Sequence, residues 1–349
     1  MAARTVRIAI SGLGNLGTRF IKLISDKHAK LRESYGLDLR IVAAADSRGA
    51  AQDPRGLDLD LILETKASTG TIGKYPQFGT VRMSSLDLVR QVEADVWCEA
   101  TPVNIDRRAE PGISCIKTAM RRGMHVVTPN KGPIVLFYQE LTQLARECGV
   151  CLRFGGTVAG GLPALYIGSR DLRGATIDRI EMIPNLVTGF ILDHIAQGCT
   201  WEEALNLAKS EGVLEADPSW DLDGWDAAAK LVIVANAVLS YPAMLEDVKK
   251  RGIRGISQET VRSEFRSGRR MRLLATATRG GSGYSLSVAL QPLPEDHPLA
   301  RLGPKEMGIT YYTDIYGTIT ATIKEETPLP SAATMLRDIL DIMLKAESL

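Results

Sequence analysis

Val6-Arg-Ile-Ala-Ile-Ser11 is a short apolar run of β character, and Gly12-Leu13-Gly14-Asn15-Leu16-Gly17 follows it without a gap. From Gly17 to Ser25 apolar residues recur at helical spacing. A G-x-G-x-x-G between a strand and a helix has a physical meaning. Its glycines permit a tight turn and let the backbone approach a pyrophosphate, which then rests on the helix N-terminus. The motif alone is weak, and its place at the first strand-to-helix junction gives it force. Gly12, Leu13, Gly14, Asn15, Leu16 and Gly17 are therefore candidate cofactor-binding residues.

Outward from this stretch, strand-like and helix-like segments alternate. Ile41–Ala45 and Asp95–Ala100 read as strands, Ile113–Arg122 as a helix, His125–Thr128 as a strand, Leu136–Glu147 as a helix and Val150–Phe154 as a strand. Such alternation predicts a parallel sheet wrapped by helices, a Rossmann dinucleotide-binding domain of the α/β class. After Gly155 the pattern changes. A glycine-rich segment, Gly155 to Gly161, leads into a helix near Pro163. Strands such as Arg179–Ile183 and Arg272–Thr278 then mix with helices such as Trp201–Glu211 and Asp226–Ser240, which predicts a second, α+β domain. Ser331–Ala346 reads as one amphipathic helix.

The 349 residues suffice for two cores. Lys and Arg number 42 against 41 Asp and Glu, a net charge of +1, which gives no basic track for nucleic acid or an anionic membrane surface. The expected partner is a small molecule. No signal-peptide pattern opens the sequence, and the apolar stretch Leu231–Leu239 is too short to span a bilayer. A cytoplasmic enzyme is expected. Five scattered cysteines form no disulfide framework. Cys148-Gly-Val-Cys151 has no second pair to complete a zinc site and reads as two ordinary thiols in a turn. The four histidines show no ligand spacing, and no metal is expected.

Asp46, Ser47 and Arg48 follow the second strand, where such folds choose their cofactor. Asp46 suits a ribose 2′-hydroxyl, hence NAD; Arg48 suits a 2′-phosphate, hence NADP. The reading leans slightly to NAD. Ala100-Thr101-Pro102-Val103-Asn104 and Thr128-Pro-Asn130-Lys131-Gly132 both stand at the carboxyl edge of strands, where ligands bind. The densest signal runs from Glu215 through Asp217, Asp221, Asp223 and Asp226 to Lys230. Asp226 and Lys230, four apart on a helix, share a face, and Asp223 is expected to cap its N-terminus. Leu-Val-Ile-Val-Ala follows Lys230 at once, so the helix is largely buried and the lysine needs partners.

These segments in order resemble the homoserine dehydrogenases. The match includes Gly12-x-Gly14-x-x-Gly17, Ala45-Asp-Ser-Arg-Gly49, Glu99-Ala-Thr-Pro-Val-Asn104, His125 to Gly132, Val158-Ala-Gly-Gly-Leu-Pro163, Glu215-Ala-Asp-Pro, Asp226-Ala-Ala-Ala-Lys-Leu231 and His297-Pro-Leu-Ala300. The resemblance implies interconversion of homoserine and aspartate semialdehyde with NAD or NADP. It implies a nucleotide domain over residues 1–152, to which a last helix within 328–349 returns, and a substrate-binding and dimerisation domain over 153–327, hence a homodimer. Lys230 would exchange the proton of the reacting oxygen, and Lys131 would bridge cofactor and substrate. Glu215, Asp221, Asp226, Gly160, Asn185 and Thr188 would contact the substrate. Ala100, Thr101, Pro102 and Asn104 would lie on the nicotinamide side. A lysine of ordinary pKa, about 10.4, is a poor base at neutral pH; a second lysine and partial burial would lower it.

Three positions depart from the family. Asn185-Leu186-Val187-Thr188 has Leu and Val where a small Gly and a hydrogen-bonding Thr are usual. Glu325-Glu326-Thr327 replaces Gly-Ala-Gly, and Gly155 replaces an acidic residue that helps hold a monovalent cation. The altered wall leaves open a related dehydrogenase acting on another small hydroxy acid or hydroxy-amine, and a silent sensor of nicotinamide cofactor. No C-terminal regulatory domain or fused kinase is recognisable, so feedback control through one is not expected.

Overall fold

A computed structural model describes residues 3–214 and 217–344. Contacts divide the chain into two compact units, Met1–Gly161 with Thr327–Leu349, and Leu162–Glu326.

The first unit begins with β1 (Arg4–Ser11), α1 (Asn15–Tyr35) and β2 (Leu37–Asp46), followed by β3 (Gly49–Gln52), α2 (Leu59–Thr69), β4 (Gly79–Val81) and α3 (Ser85–Gln91). It continues with β5 (Val96–Glu99), α4 (Gly112–Arg121), β6 (His125–Val127), α5 (Lys131–Glu147) and β7 (Leu152–Arg153). The sheet order is β4-β3-β2-β1-β5-β6-β7. β2, β1, β5, β6 and β7 run parallel, as the alternation predicts. β3 and β4 are antiparallel additions at one edge. At four and three residues they are too short for a period-2 pattern to announce them. Ile8, Ile10, Ile41, Phe20 and Ile24 are fully buried between sheet and α1, each side chain stabilising the unit by roughly 1.5–3 kcal/mol.

The second unit carries α6 (Ala164–Tyr166), β8 (Ile177–Ile183), α7 (Val187–Ala196), α8 (Trp201–Ser210), α9 (Ser219–Leu222) and α10 (Trp225–Ala237). Then come β9 (Val248–Lys250), α11 (Gln258–Arg266), β10 (Arg269–Gly280), β11 (Gly283–Pro294), β12 (Glu306–Thr313) and β13 (Gly317–Lys324). Its mixed sheet has the order β13-β12-β8-β10-β11-β9. α7 and α10 both pack on β10. Ala227 to Ala229 and Leu231 to Ala235 are buried, so α10 is apolar nearly all round, and Lys230 interrupts that run.

The chain returns to the first unit through α12 (Leu329–Met343), which packs on α1 with Ala332, Met335 and Ile339 buried. Asp338 of α12, 1% exposed, accepts from the backbone N–H of Gly155 at 2.9 Å.

Candidate functional site

The glycine turn is built as its sequence requires. Gly12 has φ +98°, and a Cβ there would run into the carbonyl of Ala100. Its N–H donates to Ala45 O at 2.9 Å and Ala100 N–H donates to Ser11 O at 2.7 Å, which together tie the ends of β1, β2 and β5. A Cβ on Gly17 would strike the carbonyl of Gly12, whereas one on Gly14 meets nothing within 4 Å. Gly14 caps α1 without a side-chain hydrogen bond, and the first turn carries no acid. The positive helix end is thus left to an anion, which fits a dinucleotide pyrophosphate. Leu13 is buried and Leu16 packs against the same core, so these two candidates offer a ligand only their backbone.

Asp46 ends β2 and Gly49 opens β3, so Asp46, Ser47 and Arg48 form a hairpin turn. The Asp46 side chain is 4% exposed. One oxygen accepts from Arg48 N at 2.8 Å and Thr71 Oγ1 at 3.0 Å. The other accepts from Lys66 Nζ at 2.7 Å and Ile72 N at 2.8 Å. Burial raises its pKa, but Lys66 and the N–H donors outweigh burial and hold it below the ordinary range. Ser47 and Arg48 are exposed, and the Arg48 guanidinium reaches the carbonyl of Gly70.

At the carboxyl edge of β5, Glu99 is fully buried. It accepts from Thr101 N at 3.1 Å, from the Thr101 hydroxyl, and from Trp97 Nε1 at 3.3 Å. Burial pushes it up to about 7 against these donors and Ser11. Thr101 Oγ1 accepts from Asn130 Nδ2 at 3.3 Å, and Thr128 Oγ1 donates to Glu99 O at 2.8 Å. The two candidate loops therefore share one network. Pro102 is exposed, while Asn104 holds its own loop by donating to Glu110 O at 3.3 Å. Asn130 caps α5 by accepting from Gly132 N at 3.0 Å, so Lys131 opens that helix. A kink at Phe137 falls at the start of Leu136–Glu147, the stretch whose periodicity predicts the helix. Gly160 belongs to the first unit, and its carbonyl accepts from Thr334 Oγ1 at 3.1 Å.

In the second unit, Lys230 and Asp226 meet as their spacing predicts. Lys230 Nζ lies 2.8 Å from Asp226 Oδ2 and 2.7 Å from Pro184 O. The Lys230 side chain is 14% exposed and that of Asp226 7%. Asn185, at the turn between β8 and α7, donates through Nδ2 to Asp226 Oδ2 at 3.1 Å and to Asp221 Oδ1 at 3.2 Å. Thr188 Oγ1 in turn donates to Asn185 Oδ1 at 3.1 Å. One amide thus joins two carboxylates from α9 and α10 and is itself fixed by α7. Leu186 is half-buried and Val187 buried beside it.

Two expectations change. Asp223 does not cap α10: Gly224, at φ +81°, stands there, and Asp223 pairs with Arg254 at 2.6 Å. Short α9 ends at Leu222, and only a left-handed residue turns the chain from it into α10. Glu215 lies outside the described residues. Sequence reasoning assigned no role to Glu99 or Lys66. Glu99 stands in a segment quoted for the resemblance, but its total burial is a tertiary fact. Lys66 lies on α2, 20 positions from Asp46, with no pattern linking them.

The sheet, its glycine turn and the edge loops define the class, the Rossmann-type dehydrogenases. The homoserine dehydrogenase family model matches residues 163–340, and that of the glutamate/leucine/phenylalanine/valine dehydrogenases matches residues 1–118. The homoserine dehydrogenase of Methanocaldococcus jannaschii is 35% identical over 336 residues, covering 96% of this chain and 98% of that one. An NAD(+)-dependent homoserine dehydrogenase of Pseudomonas canavaninivorans is 32% identical over 340 residues, 96% of each. The solved structure of a hyperthermophilic archaeal homoserine dehydrogenase in complex with NADPH superposes with a TM-score of 0.84 at 28% identity, covering 98% of each chain. The chain belongs to the homoserine dehydrogenase family.

Proposed function

We propose that this protein is an NAD(P)-dependent homoserine dehydrogenase, interconverting L-homoserine and L-aspartate 4-semialdehyde. The observation that carries the reading is the Lys230–Asp226–Asn185–Asp221 network. Among the described residues Lys230 has two acceptors, Asp226 and the Pro184 carbonyl. An ammonium has three N–H groups, so one remains for a substrate oxygen. As the alcohol is oxidised, neutral Lys230 takes the hydroxyl proton; in reverse, charged Lys230 gives it to the aldehyde oxygen. Asp221 and Asp226 attract the substrate ammonium, and Asn185 fixes their spacing. The nicotinamide supplies the hydride acceptor or donor. Gly12 to Gly17 and the α1 N-terminus would hold its pyrophosphate, with Thr101, Asn104 and Lys131 on the nicotinamide side.

For the cofactor, the lean to NAD loses its main support, because Asp46 already accepts four hydrogen bonds. With Arg48 exposed beside it, NADPH is expected to bind at least as well as NADH. We also read the protein as a cytoplasmic homodimer. Among the described residues no helix is long and apolar enough to cross a membrane, and light scattering tests the dimer.

Leu186 and Val187, apolar beside Asn185, favour one second reading, a less polar hydroxy-amine or hydroxy acid in the same machinery. Initial rates with L-homoserine against a panel of small hydroxy acids and hydroxy-amines separate the two: preferred turnover of L-homoserine supports the first, and preference for another member the second.

A further inference from the structure

Glu99 is the most deeply buried acid at the edge where both candidate loops converge, at 0% exposure. No cation pairs with it among the described residues. What surrounds it are donors: the Thr101 N–H and hydroxyl and the Trp97 indole N–H, while the Ser11 hydroxyl close by donates to Ser85 Oγ at 2.7 Å. Three donors converging on one carboxyl describe a socket for an ionised acceptor, since a protonated acid has one oxygen that must donate. A Cβ on Gly112 of α4 would come within 3.1 Å of Asn130 Nδ2, 3.3 Å of Glu99 Oε1 and 3.4 Å of Thr101 Oγ1, so α4 closes the socket from the far side.

We infer that Glu99 is a positioning residue for cofactor binding: its ionised carboxyl holds Thr101 and, through Thr101, sets Asn130 and the first turn of α5. The inference rests on the reading that these loops take the nicotinamide side of the cofactor. The chain of contacts is continuous. Glu99 accepts from Thr101; Thr101 accepts from Asn130; Asn130 caps the helix that Lys131 opens. Thr128, on the loop between, is bonded both to the Glu99 carbonyl and to Asn130 N. Losing the charge removes the central acceptor from both loops at once.

Burial places that loss near neutrality, at about 7. The titratable groups facing Glu99 are the thiols of Cys98 and Cys115, both pushed up by burial and so neutral. Glu110, Arg90 and Asp338 act on those thiols. Cofactor affinity should therefore weaken as pH falls through neutrality.

The test is fluorescence titration of NADH, whose phosphates do not titrate in this range, against wild type, Glu99→Gln and Trp97→Phe from pH 6 to 8. Wild-type Kd is expected to rise several-fold towards pH 6. Glu99→Gln keeps the volume but turns an NH₂ towards either the Trp97 donor or the Thr101 donors. Its Kd at pH 8 should be about tenfold higher, the size of a lost charge-assisted hydrogen bond, with no pH dependence. Trp97→Phe removes one donor and should move the midpoint upward while leaving affinity at pH 8 near wild type; it carries the test if Glu99→Gln does not fold. Wild-type affinity and pH profile in the variants overturns the inference. A wild type that binds neither NADH nor NADPH at any pH overturns the nucleotide reading with it, whereas absent homoserine turnover with these shifts intact overturns only the proposed substrate.

Discussion

Lys230 Nζ stands 2.8 Å from Asp226 Oδ2, one turn back along α10. Both side chains are nearly enclosed, on a helix otherwise apolar. A buried lysine is costly unless partnered, and here the partner arrives by helix periodicity alone. The pair is held from outside the helix by Asn185 and the Pro184 carbonyl, so its geometry is set by two elements and not by one.

Replacing Lys230 by Ala should lower kcat by about 10²–10⁴, the usual worth of a positioned proton-transfer group. Kd for NADH or NADPH should stay unchanged, because Lys230 and the glycine turn belong to different units. Steady-state rates and cofactor titration on one preparation check this. Unchanged kcat would remove Lys230 from the chemistry.

Gly12→Ala and Gly14→Ala should behave differently although both lie in one motif. The first puts a methyl into the Ala100 carbonyl at a φ of +98°, so it should cost stability, about 1–3 kcal/mol, together with cofactor affinity. The second meets nothing within 4 Å, so melting should be near wild type while cofactor binding weakens. Thermal melts with and without cofactor decide it.

Lys66→Met leaves Asp46 buried with neutral donors alone, at a cost of about 1–3 kcal/mol at pH 7. The sign follows from the lowered pKa of Asp46. A carboxyl depressed in the folded state stabilises above its unfolded pKa, and that stability is lost as pH falls through its folded pKa. Without Lys66 the folded value moves up, so acid unfolding should begin at a higher pH. Urea melts between pH 3 and 7 measure the shift.

Arg272, 1% exposed on β10, is bound to Asp193 of α7 at 2.7 Å and to the carbonyls of Leu302 and Ala300 at 2.9 and 3.3 Å. Arg272→Met strands a buried carboxylate and should destabilise the second unit by about 3–5 kcal/mol, less whatever Arg270 restores from 3.2 Å. Pairing it with Asp193→Leu should recover most of the loss. A double variant no better than the single would show that packing dominates at this position.

Much of the parallel sheet was legible because apolar runs and a glycine turn are local signals. Lys230 and Asp226 were legible for the same reason, being one helical turn apart. What escaped depends on distance. By local pattern Asp46 suits a ribose hydroxyl, but its oxygens already accept from Lys66, Thr71 and Ile72, all more than 19 positions on. Asp223 looked like a cap because local pattern favours Asp there, but the turn needs a left-handed backbone that Gly224 supplies. Glu99 belongs to a local motif, but its lack of a cation partner among the described residues is a tertiary fact.

The most direct test of the proposed activity is an NAD(P)H absorbance assay on the purified protein with L-homoserine and each cofactor. Turnover with L-homoserine that disappears in Lys230→Ala, while cofactor binding persists, is the expected result. Tight cofactor binding with no turnover of L-homoserine at any pH, or turnover that survives Lys230→Ala, would contradict it.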